Sequence, residues 1–212
     1  GLFFGMIIGS FYVIYYQLER LSLKTLIGIL VGLASGLLIS FADNFEVTNS
    51  NLIIFISGMI AISGMILPGL SGSYLLLLMG NYTLIMVDSV NALYFTITEI
   101  FSFNFDFLND PDRIYLLKIL FFFTIGSVIG LIFLSNILST LLKNYKSLTI
   151  AVIVGFIAGS LRGVWPWKSE GVNGKISLFF PNLSLGETHL TLVYIFIGIL
   201  FVVLLERFAN KN

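Results

Sequence analysis

Cysteine is absent from this 212-residue chain, and histidine occurs only once, as His189. The absence of cysteine excludes disulfides, thiolate catalysis and iron–sulfur clusters. His189 has no second histidine and no pair of carboxylates at the spacing that a metal site needs. We therefore expect neither a metal site nor a cofactor.

Charge is also scarce, since only 10% of the residues are charged and the formal net charge is +0. There is no basic stretch, so we expect no nucleic-acid partner. By contrast, 58% of the residues are hydrophobic, and the mean hydropathy is +1.02. This composition predicts an all-α, polytopic bundle of transmembrane helices, a single membrane domain over residues 1–212 that is surrounded by lipid.

The chain opens on Gly1, with no methionine and no charged segment before the first apolar run. This start is typical neither of a signal peptide nor of a natural first residue. We expect a fragment whose N-terminal part is missing.

Seven apolar segments are separated by polar stretches; they are residues 1–16, 25–42, 52–80, 84–100, 114–142, 148–164 and 190–205. In the second segment Gly28, Gly32 and Gly36 recur every fourth residue, a stripe that lets a neighbouring helix approach closely. The segment at 84–100 carries polar residues and either crosses the membrane or lies against the segment before it. The one at 114–142 is longer than a bilayer requires.

The basic residues predict the orientation of the chain. One way of passing the chain through the membrane places six basic residues on the same side; they are Arg20, Lys24, Lys143, Lys146, Arg207 and Lys211. By the positive-inside rule, that side is cytoplasmic. The acidic stretches at 43–46 and 106–112 then face outward. This arrangement requires an even number of crossings between Leu52 and Ile100.

The third apolar segment is interrupted at its middle by Leu67-Pro68-Gly69-Leu70-Ser71-Gly72-Ser73. Proline has no N–H to donate, and glycine and serine favour a sharp turn. At membrane depth such backbone is tolerated only where protein buries it or where it lines a wet cavity. The pattern predicts two half-helices, either as a re-entrant hairpin or as a broken helix followed by a returning span. We favour the hairpin.

The second half-helix is expected to begin at Ser71-Gly72-Ser73. Its first N–H groups have no partner within the helix, and the helix dipole places positive potential at the same end. Two hydroxyl groups lie at the same place. Together these donors predict a site for an anion, phosphate or carboxylate, near the middle of the bilayer.

A short motif occurs twice along the chain. Phe4 to Ser10 and Val154 to Ser160 both read apolar-Gly-x-x-x-Gly-Ser. In the threading above, the first copy runs from outside to inside and the second from inside to outside. This relation is typical of inverted-topology repeats, in which transporters bind substrate between half-helices. Residues 1–42 would end a truncated first repeat, and residues 52–207 would form the second.

These motifs resemble a bacterial membrane family catalogued as domain of unknown function 368, which is associated with polyprenyl-phosphate transport. The resemblance rests on Pro68 to Ser73, on Gly80-Asn81-Tyr82 and on Gly155 to Arg162. It implies a flippase, not an enzyme, that returns undecaprenyl phosphate across the bacterial plasma membrane for reuse in cell-envelope synthesis. The family's first hairpin of the Pro-Gly-x-Ser-Gly type is absent from this chain.

The expected substrate is a lipid phosphate, whose headgroup needs donors that bind without covalent chemistry. The expected substrate-binding residues share one pocket between the hairpin tip and the segment 148–164; they are Pro68, Gly69, Ser71, Gly72, Ser73, Ser160 and Arg162. Arg162, inside the segment 148–164, could grip phosphate oxygens in pairs. Alternatively it reaches the interface beside Trp165 and Trp167.

Asp88 is an acidic residue on an otherwise apolar segment. It could pair with Arg162, couple transport to protons, or cap the exit of the hairpin.

Two other functional classes stay open on the sequence. An ion or small-anion transporter would use the same half-helix site. An intramembrane enzyme acting on polyprenyl pyrophosphate would need a nucleophile with clustered acids and arginines. A single histidine and a lone intramembrane aspartate disfavour the enzyme.

Overall fold

The computed structural model describes residues 1–18, 22–42, 50–66, 71–170, 176–181 and 186–209. Within these ranges α-helices carry most of the regular structure, which confirms the all-α fold class. The helices are α1 (Leu2–Tyr15), α2 (Leu23–Ser40), α3 (Asn51–Ile66), α4 (Gly72–Leu78), α5 (Val90–Phe101), α6 (Pro111–Asn144), α7 (Lys146–Ser160) and α8 (Gly186–Ala209). A π-helix over Thr83–Ser89 runs directly into α5, and a 3-10 helix covers Asp106–Asn109.

Within the described ranges, four helical stretches are long and apolar enough to cross a membrane; they are Leu23–Ser40, Thr83–Phe101, Pro111–Asn144 and Gly186–Ala209. Shorter apolar helices are α1, α3 and α7. The 34 residues of α6 make it about 50 Å long, well beyond the ~30 Å hydrocarbon core of a bilayer. The chain is therefore a multi-pass membrane protein, and the expected overlong helix is confirmed.

The chain divides into two compact units. The terminal unit contains Gly1–Phe41 and Leu141–Asn212, and the middle unit contains Ala42–Thr140. The predicted division into two repeats, residues 1–42 and 52–207, is a division by internal symmetry. The two compact units do not test it, so it stays a prediction.

In the terminal unit, glycines bring α2 against α7 and α1 against α8. A Cβ atom added to Gly32 of α2 would overlap the carbonyl oxygen of Val152 in α7. Small residues let two backbones approach this closely, and such packing helps to hold helices together in lipid. The expected stripe of Gly28, Gly32 and Gly36 is buried and forms this contact.

The helices within each pair run in the same direction. Along the contact of α2 with α7, Gly28 lies beside Leu148, and Gly36, further along, lies beside Phe156. The contact of α1 with α8 progresses in the same way, from Gly1 beside Thr191 to Gly9 beside Val202. The C-terminal ends of the two partners in each pair therefore lie together.

The two pairs make equivalent contacts. Gly155 of α7 meets the Ile29 backbone of α2, and Gly5 of α1 meets the Ile195 backbone of α8 in the same way. Gly5 and Gly155 are the matching glycines of the two motif copies. Helix α1 therefore corresponds to α7, and α2 corresponds to α8.

The equivalent helices α1 and α7 run in opposite directions. Phe4, near the start of α1, packs edge-on against Trp165, which follows the end of α7, with ring centroids 5.6 Å apart. An inverted-topology repeat predicts this antiparallel relation.

In the middle unit, α3 and α6 are also joined by glycine. Gly126 of α6 lies against Phe55 of α3, and Gly130 lies against Met59. The contacts move towards the C-terminus of both helices together. The two helices therefore run in the same direction and begin at the same end of the middle unit. This direction agrees with an even number of crossings between Leu52 and Ile100, which stays a prediction.

The predicted interruption of the third apolar segment is confirmed, because α3 and α4 are separate helices. Gly72, the first residue of α4, packs against Ala61 of α3, and Asn81 then donates a hydrogen bond to Ser57. The chain thus returns along α3 towards its start. The antiparallel course of α3 and α4 agrees with a hairpin, and its re-entrance from the outer face stays a prediction.

Two expectations for the end of the chain need correction. Helix α7 ends at Ser160 rather than near residue 164, because the chain leaves the helix through tight turns in which Gly163 N–H donates to the Ser160 carbonyl. Arg162 is therefore outside the helix. The following stretch, expected to be a polar loop, contains two strands, β1 (Lys168–Glu170) and β2 (Ile176–Leu178), paired antiparallel.

Candidate functional site

The serines at the hairpin form an exposed hydroxyl pair. Ser71 is the residue before α4 and has extended backbone, and Ser73 lies in the first turn of that helix. Their hydroxyl oxygens are 2.6 Å apart, and the Ser71 side chain does not cap the helix. Because α4 has only seven residues, its dipole is weaker than that of a full helix. The two serine hydroxyls, rather than the dipole of α4, are therefore the stronger attraction for an anion at this place.

Gly72 lies between these serines but serves the packing of the hairpin. It is buried, and a Cβ atom added to it would lie 2.5 Å from the carbonyl oxygen of Ala61. Towards a ligand it can offer only its N–H. Pro68 and Gly69 lie outside the described residues, so their role in substrate binding stays a prediction.

Arg162 is stacked on an aromatic ring. Its guanidinium carbon lies 4.0 Å from the centroid of the Phe41 ring. Phe41 is the C-cap residue of α2. A cation over a ring face is attracted by the ring's quadrupole. Stacking occupies the flat face of the guanidinium and leaves the N–H groups at its edge for other partners. Trp165 instead packs against Phe4 and Trp167.

The ends of α2 and α7 are tied together beside this stack. The Ser40 hydroxyl donates to the Gly36 carbonyl at 2.8 Å and lies 3.3 Å from the Gly159 carbonyl. Because the two helices are also in glycine contact, Phe41 is held in a fixed place relative to Arg162.

Ser160 and Lys168 lie near the same turn. Ser160 is buried, and its hydroxyl donates to the Ile157 carbonyl at 2.9 Å, so its expected contact with substrate stays a prediction. Lys168 was not among the expected site residues. Its exposed ammonium lies 3.4 Å from the Gly163 carbonyl, and the basic residue directly after Trp165-Pro166-Trp167 was the available signal.

Asp88 is exposed and lies in the π-helix that precedes α5. In the described part of the chain its side chain has no hydrogen bond or ion pair. Single π-helical turns are frequent at functional sites. Asp88 belongs to the middle unit and Arg162 to the terminal unit, so their pairing, like the shared pocket, stays a prediction.

A buried polar pair in the middle unit was missed by sequence reasoning. Asn81 and Ser57 are both fully buried, and the Asn81 side-chain nitrogen donates to the Ser57 hydroxyl at 3.1 Å. The side-chain carbonyl oxygen of Asn81 has no hydrogen-bond partner among the described residues. An asparagine within a long uncharged run was the signal, because amides are costly to bury unless they are paired.

An ion pair that the sequence analysis did not identify joins α5 to α6. Arg113 donates to one carboxylate oxygen of Glu99 at 2.6 Å, and its Nε lies 3.6 Å from Asp110. This pair fastens the two ends of the loop that was expected to be merely solvated. The opposite charges that flank the loop were the signal.

These groups suit a ligand held by hydrogen bonds and charge. The hydroxyl pair and the stacked guanidinium are both donors for a phosphate or carboxylate group. Among the residues that the structure describes, no cluster of three or more histidines and carboxylates could hold a metal ion.

Comparison with known proteins gives three matches. A family described as undecaprenyl phosphate translocase-like matches residues 1–175. A polyprenyl-phosphate transporter of Vibrio cholerae is 33% identical over 99% of this chain and 66% of its own length. A polyprenyl-phosphate transporter of Staphylococcus aureus is 30% identical over 99% of this chain and 68% of its own length.

The chain thus spans about two thirds of the length of these curated relatives. No solved structure gives a significant match.

Proposed function

Since the chain belongs to the undecaprenyl phosphate translocase-like family, we propose that the protein carries polyprenyl phosphate, undecaprenyl phosphate in particular, across the bacterial plasma membrane. The direction we propose is the return of the carrier to the cytoplasmic leaflet for reuse in cell-envelope synthesis. The observation that carries this proposal is the similarity to two polyprenyl-phosphate transporters over 99% of the chain.

The chemistry of the described residues supports a carrier of lipid phosphate. Moving such a lipid requires donors for the phosphate, and it requires no covalent step. Ser71 and Ser73 offer hydroxyl donors, and Arg162 offers paired N–H groups while Phe41 holds its flat face. Charged hydrogen bonds of this kind are the stronger class.

The test is transbilayer movement of lipid phosphate in vesicles that contain the whole protein. A short fluorescent prenyl phosphate in one leaflet should become accessible in the other leaflet faster than in vesicles without protein. The matching prenyl alcohol should not be accelerated. If the protein leaves the prenyl phosphate rate unchanged, the proposed function is wrong.

The same vesicles separate the transporter of lipid phosphate from the two alternatives. A small-anion transporter would move inorganic phosphate, and an excess of prenyl phosphate would not compete. An enzyme would release phosphate from a prenyl pyrophosphate. The proposal expects neither result.

Variants test the proposed phosphate donors. Arg162→Lys keeps the charge but cannot reproduce the paired contact, so we expect a transport rate roughly tenfold lower. Ser71→Ala combined with Ser73→Ala should lower the rate about fivefold per lost hydrogen bond. Ser63→Ala is the matched control for the serines, because within the described ranges the Ser63 hydroxyl donates to the Met59 carbonyl of its own helix.

Combining the arginine and serine changes asks whether both groups act on one phosphate. If they do, the double variant should lose less than the product of the separate losses, because the first change already weakens the bound state. Multiplicative losses would assign the two groups to separate steps.

A further inference from the structure

Gly163, in the turn that follows α7, is a glycine that helix packing does not require. Among the described residues, the atoms nearest to a Cβ added there are the Ser160 carbonyl oxygen at 3.4 Å and the Ser40 hydroxyl oxygen at 3.6 Å, which are ordinary contacts. A Cβ added to Gly32, by contrast, would overlap backbone of the partner helix. Gly163 also lacks the positive φ angle that favours glycine. Its missing side chain leaves free space over the turn.

Two cations border this turn. Arg162 directly precedes Gly163, and its guanidinium carbon lies 4.0 Å from the centroid of the Phe41 ring. The Lys168 ammonium returns to the turn and lies 3.4 Å from the Gly163 carbonyl oxygen. In the part of the chain that the structure describes, neither cation forms an ion pair with a carboxylate. Both charges are therefore available to a ligand.

Printed contacts bring both cations to Gly163. Ser40, whose hydroxyl lies 3.6 Å from the Cβ position of Gly163, is the residue before Phe41, on which Arg162 is stacked. The Gly163 carbonyl is the group that the Lys168 ammonium contacts. The guanidinium is thus held near this glycine by the end of α2, and the ammonium reaches it from β1.

The backbone at Lys168 is held by the strand pair. Lys168 begins β1 and is paired with Leu178 of β2. Directly beside this pair, the Phe179 N–H donates to the Trp167 carbonyl at 3.0 Å, and the Trp165 indole N–H donates to the Phe179 carbonyl at 3.1 Å. The lysine side chain itself is exposed. A fixed backbone with a flexible charged side chain lets the ammonium move onto a ligand.

Two cations suit a ligand with two negative charges. A phosphate monoester carries about −1.5 to −2 charges at neutral pH, whereas a phosphodiester carries one negative charge. A guanidinium holds two phosphate oxygens as a pair, and an ammonium acts on a third as a point charge. Prenyl phosphate is a monoester, whereas the common phospholipids that surround a membrane protein are diesters. The second cation therefore has a use in distinguishing the two.

We propose that the free space over Gly163 receives a phosphate monoester headgroup, and that Lys168 is the residue that selects a monoester over a phosphodiester. Arg162 supplies the paired N–H groups, and Lys168 neutralises the second charge. The proposal rests on the proposed function, because it names the headgroup class that a carrier of prenyl phosphate must recognise among other lipids.

The test is binding of two short lipids to the whole protein in detergent, measured by titration calorimetry. Geranyl phosphate is the monoester, and geranyl methyl phosphate is the diester. Wild-type protein should prefer the monoester roughly tenfold, the difference that one hydrogen bond between charged groups supplies. Lys168→Gln keeps a donor for the Gly163 carbonyl but removes the charge, so the preference should fall to about twofold. Lys168→Arg restores the charge and should restore most of the preference.

Two further variants separate charge from structure. Lys146→Gln is the matched control, because it removes an exposed cation at the other end of α7 and should leave both dissociation constants unchanged. Gly163→Val should weaken binding of both esters roughly tenfold, because its side chain occupies the free space. Its thermal midpoint should stay near that of wild type, since a Cβ there makes ordinary contacts. Gly163→Ala should give a smaller change in the same direction.

Inorganic phosphate distinguishes the two possible sources of the headgroup. Weaker competition by inorganic phosphate than by geranyl phosphate supports the lipid, and equal competition overturns the assignment to the lipid. Equal binding of the two esters by wild-type protein, or a Lys168→Gln variant that keeps the wild-type preference, overturns the selective role of Lys168. Failure of the proposed function is separate, because wild-type protein would then not move prenyl phosphate across vesicles, whichever ester it binds.

Discussion

The helix pair α2 with α7 and the helix pair α1 with α8 share their contacts but not their tightness. Where Gly36 of α2 lies against Gly159, the equivalent contact of α8 places Val202 against Gly9. A side chain thus separates the second pair at a point where the first has backbone on backbone. Repeated geometry does not imply equal stability, because one residue per turn decides how closely two helices approach.

Burial shows the same difference. Most of α7 is buried, including Val154 and Ile157, whereas the only buried residues of α8 are Thr188 and Gly198. An outer helix can shift to accommodate a larger side chain, and an enclosed helix cannot. The pair α2 with α7 should therefore respond more strongly to added volume.

The largest effect is expected from Gly32→Ala. The added methyl would overlap the Val152 carbonyl oxygen, which is backbone and cannot rotate away. We expect the free energy of unfolding to fall by about 3 kcal/mol, well beyond the roughly 1 kcal/mol that alanine gains in helix propensity. The thermal midpoint in detergent measures this loss. Gly198→Ala, at the equivalent place in α8, should cost less, and an equal loss would show that the pairs are equally rigid.

The next effect compares Gly159→Ala with Gly9→Ala, which occupy equivalent positions. A methyl at Gly159 would overlap the Leu33 carbonyl oxygen, whereas the nearest atom to one at Gly9 is the Val202 Cβ at 3.0 Å. The first variant should lose about 2 kcal/mol and the second less than about 1 kcal/mol. Denaturation in a mixed-micelle titration gives both values. Reversal of the order would contradict the looser packing of α1 with α8.

A smaller effect is expected from Ser40→Ala, which removes the hydroxyl that joins the ends of α2 and α7. The equivalent position in α8 is Glu206, which carries a carboxylate instead of a hydroxyl. We expect a loss of about 1 kcal/mol, typical of one hydrogen bond. The hydrogen-exchange rate of the Phe41 amide should also rise. Unchanged exchange there would mean that the glycine contacts alone hold the two ends.

The smallest effect is expected from Gly186→Ala at the first residue of α8. Among the residues that the structure describes, no atom lies within 4 Å of a Cβ added there, so the change should alter stability by less than about 0.5 kcal/mol. It is the control for the other glycine variants, measured in the same detergent. A large loss of stability at this position would show that replacing glycine by alanine is destabilising in itself. The losses in the other glycine variants could then not be assigned to helix contacts.

Features set by neighbouring residues could be predicted from the sequence. Proline and glycine at 68–69 indicated the interruption between α3 and α4, and the spacing of Gly28, Gly32 and Gly36 indicated a packing face. Charge distribution predicted an even number of crossings between Leu52 and Ile100, with which the parallel course of α3 and α6 agrees. In each case a local rule acts within one segment or one loop.

Features set by distant residues could not be predicted. Asn81 meets Ser57 across 24 positions, and Arg162 meets Phe41 only because α2 and α7 are held together. The early end of α7 at Ser160 was missed because hydropathy continues to Val164, and it is the turn hydrogen bonds that end the helix. Sequence patterns place residues on helices, but tertiary contacts decide which residues meet.

The parallel arrangement of paired helices has a consequence for biosynthesis. Ser127 reaches the Gly58 carbonyl across 69 positions, and Ser40 reaches Gly159 across 119. During synthesis, α2 and α3 therefore leave the ribosome long before α7 and α6 are made. Their glycine faces must wait in the translocon or the lipid until those partners emerge, because contacts between distant residues form late. These two helix pairs therefore assemble only after α6 and α7 have been made.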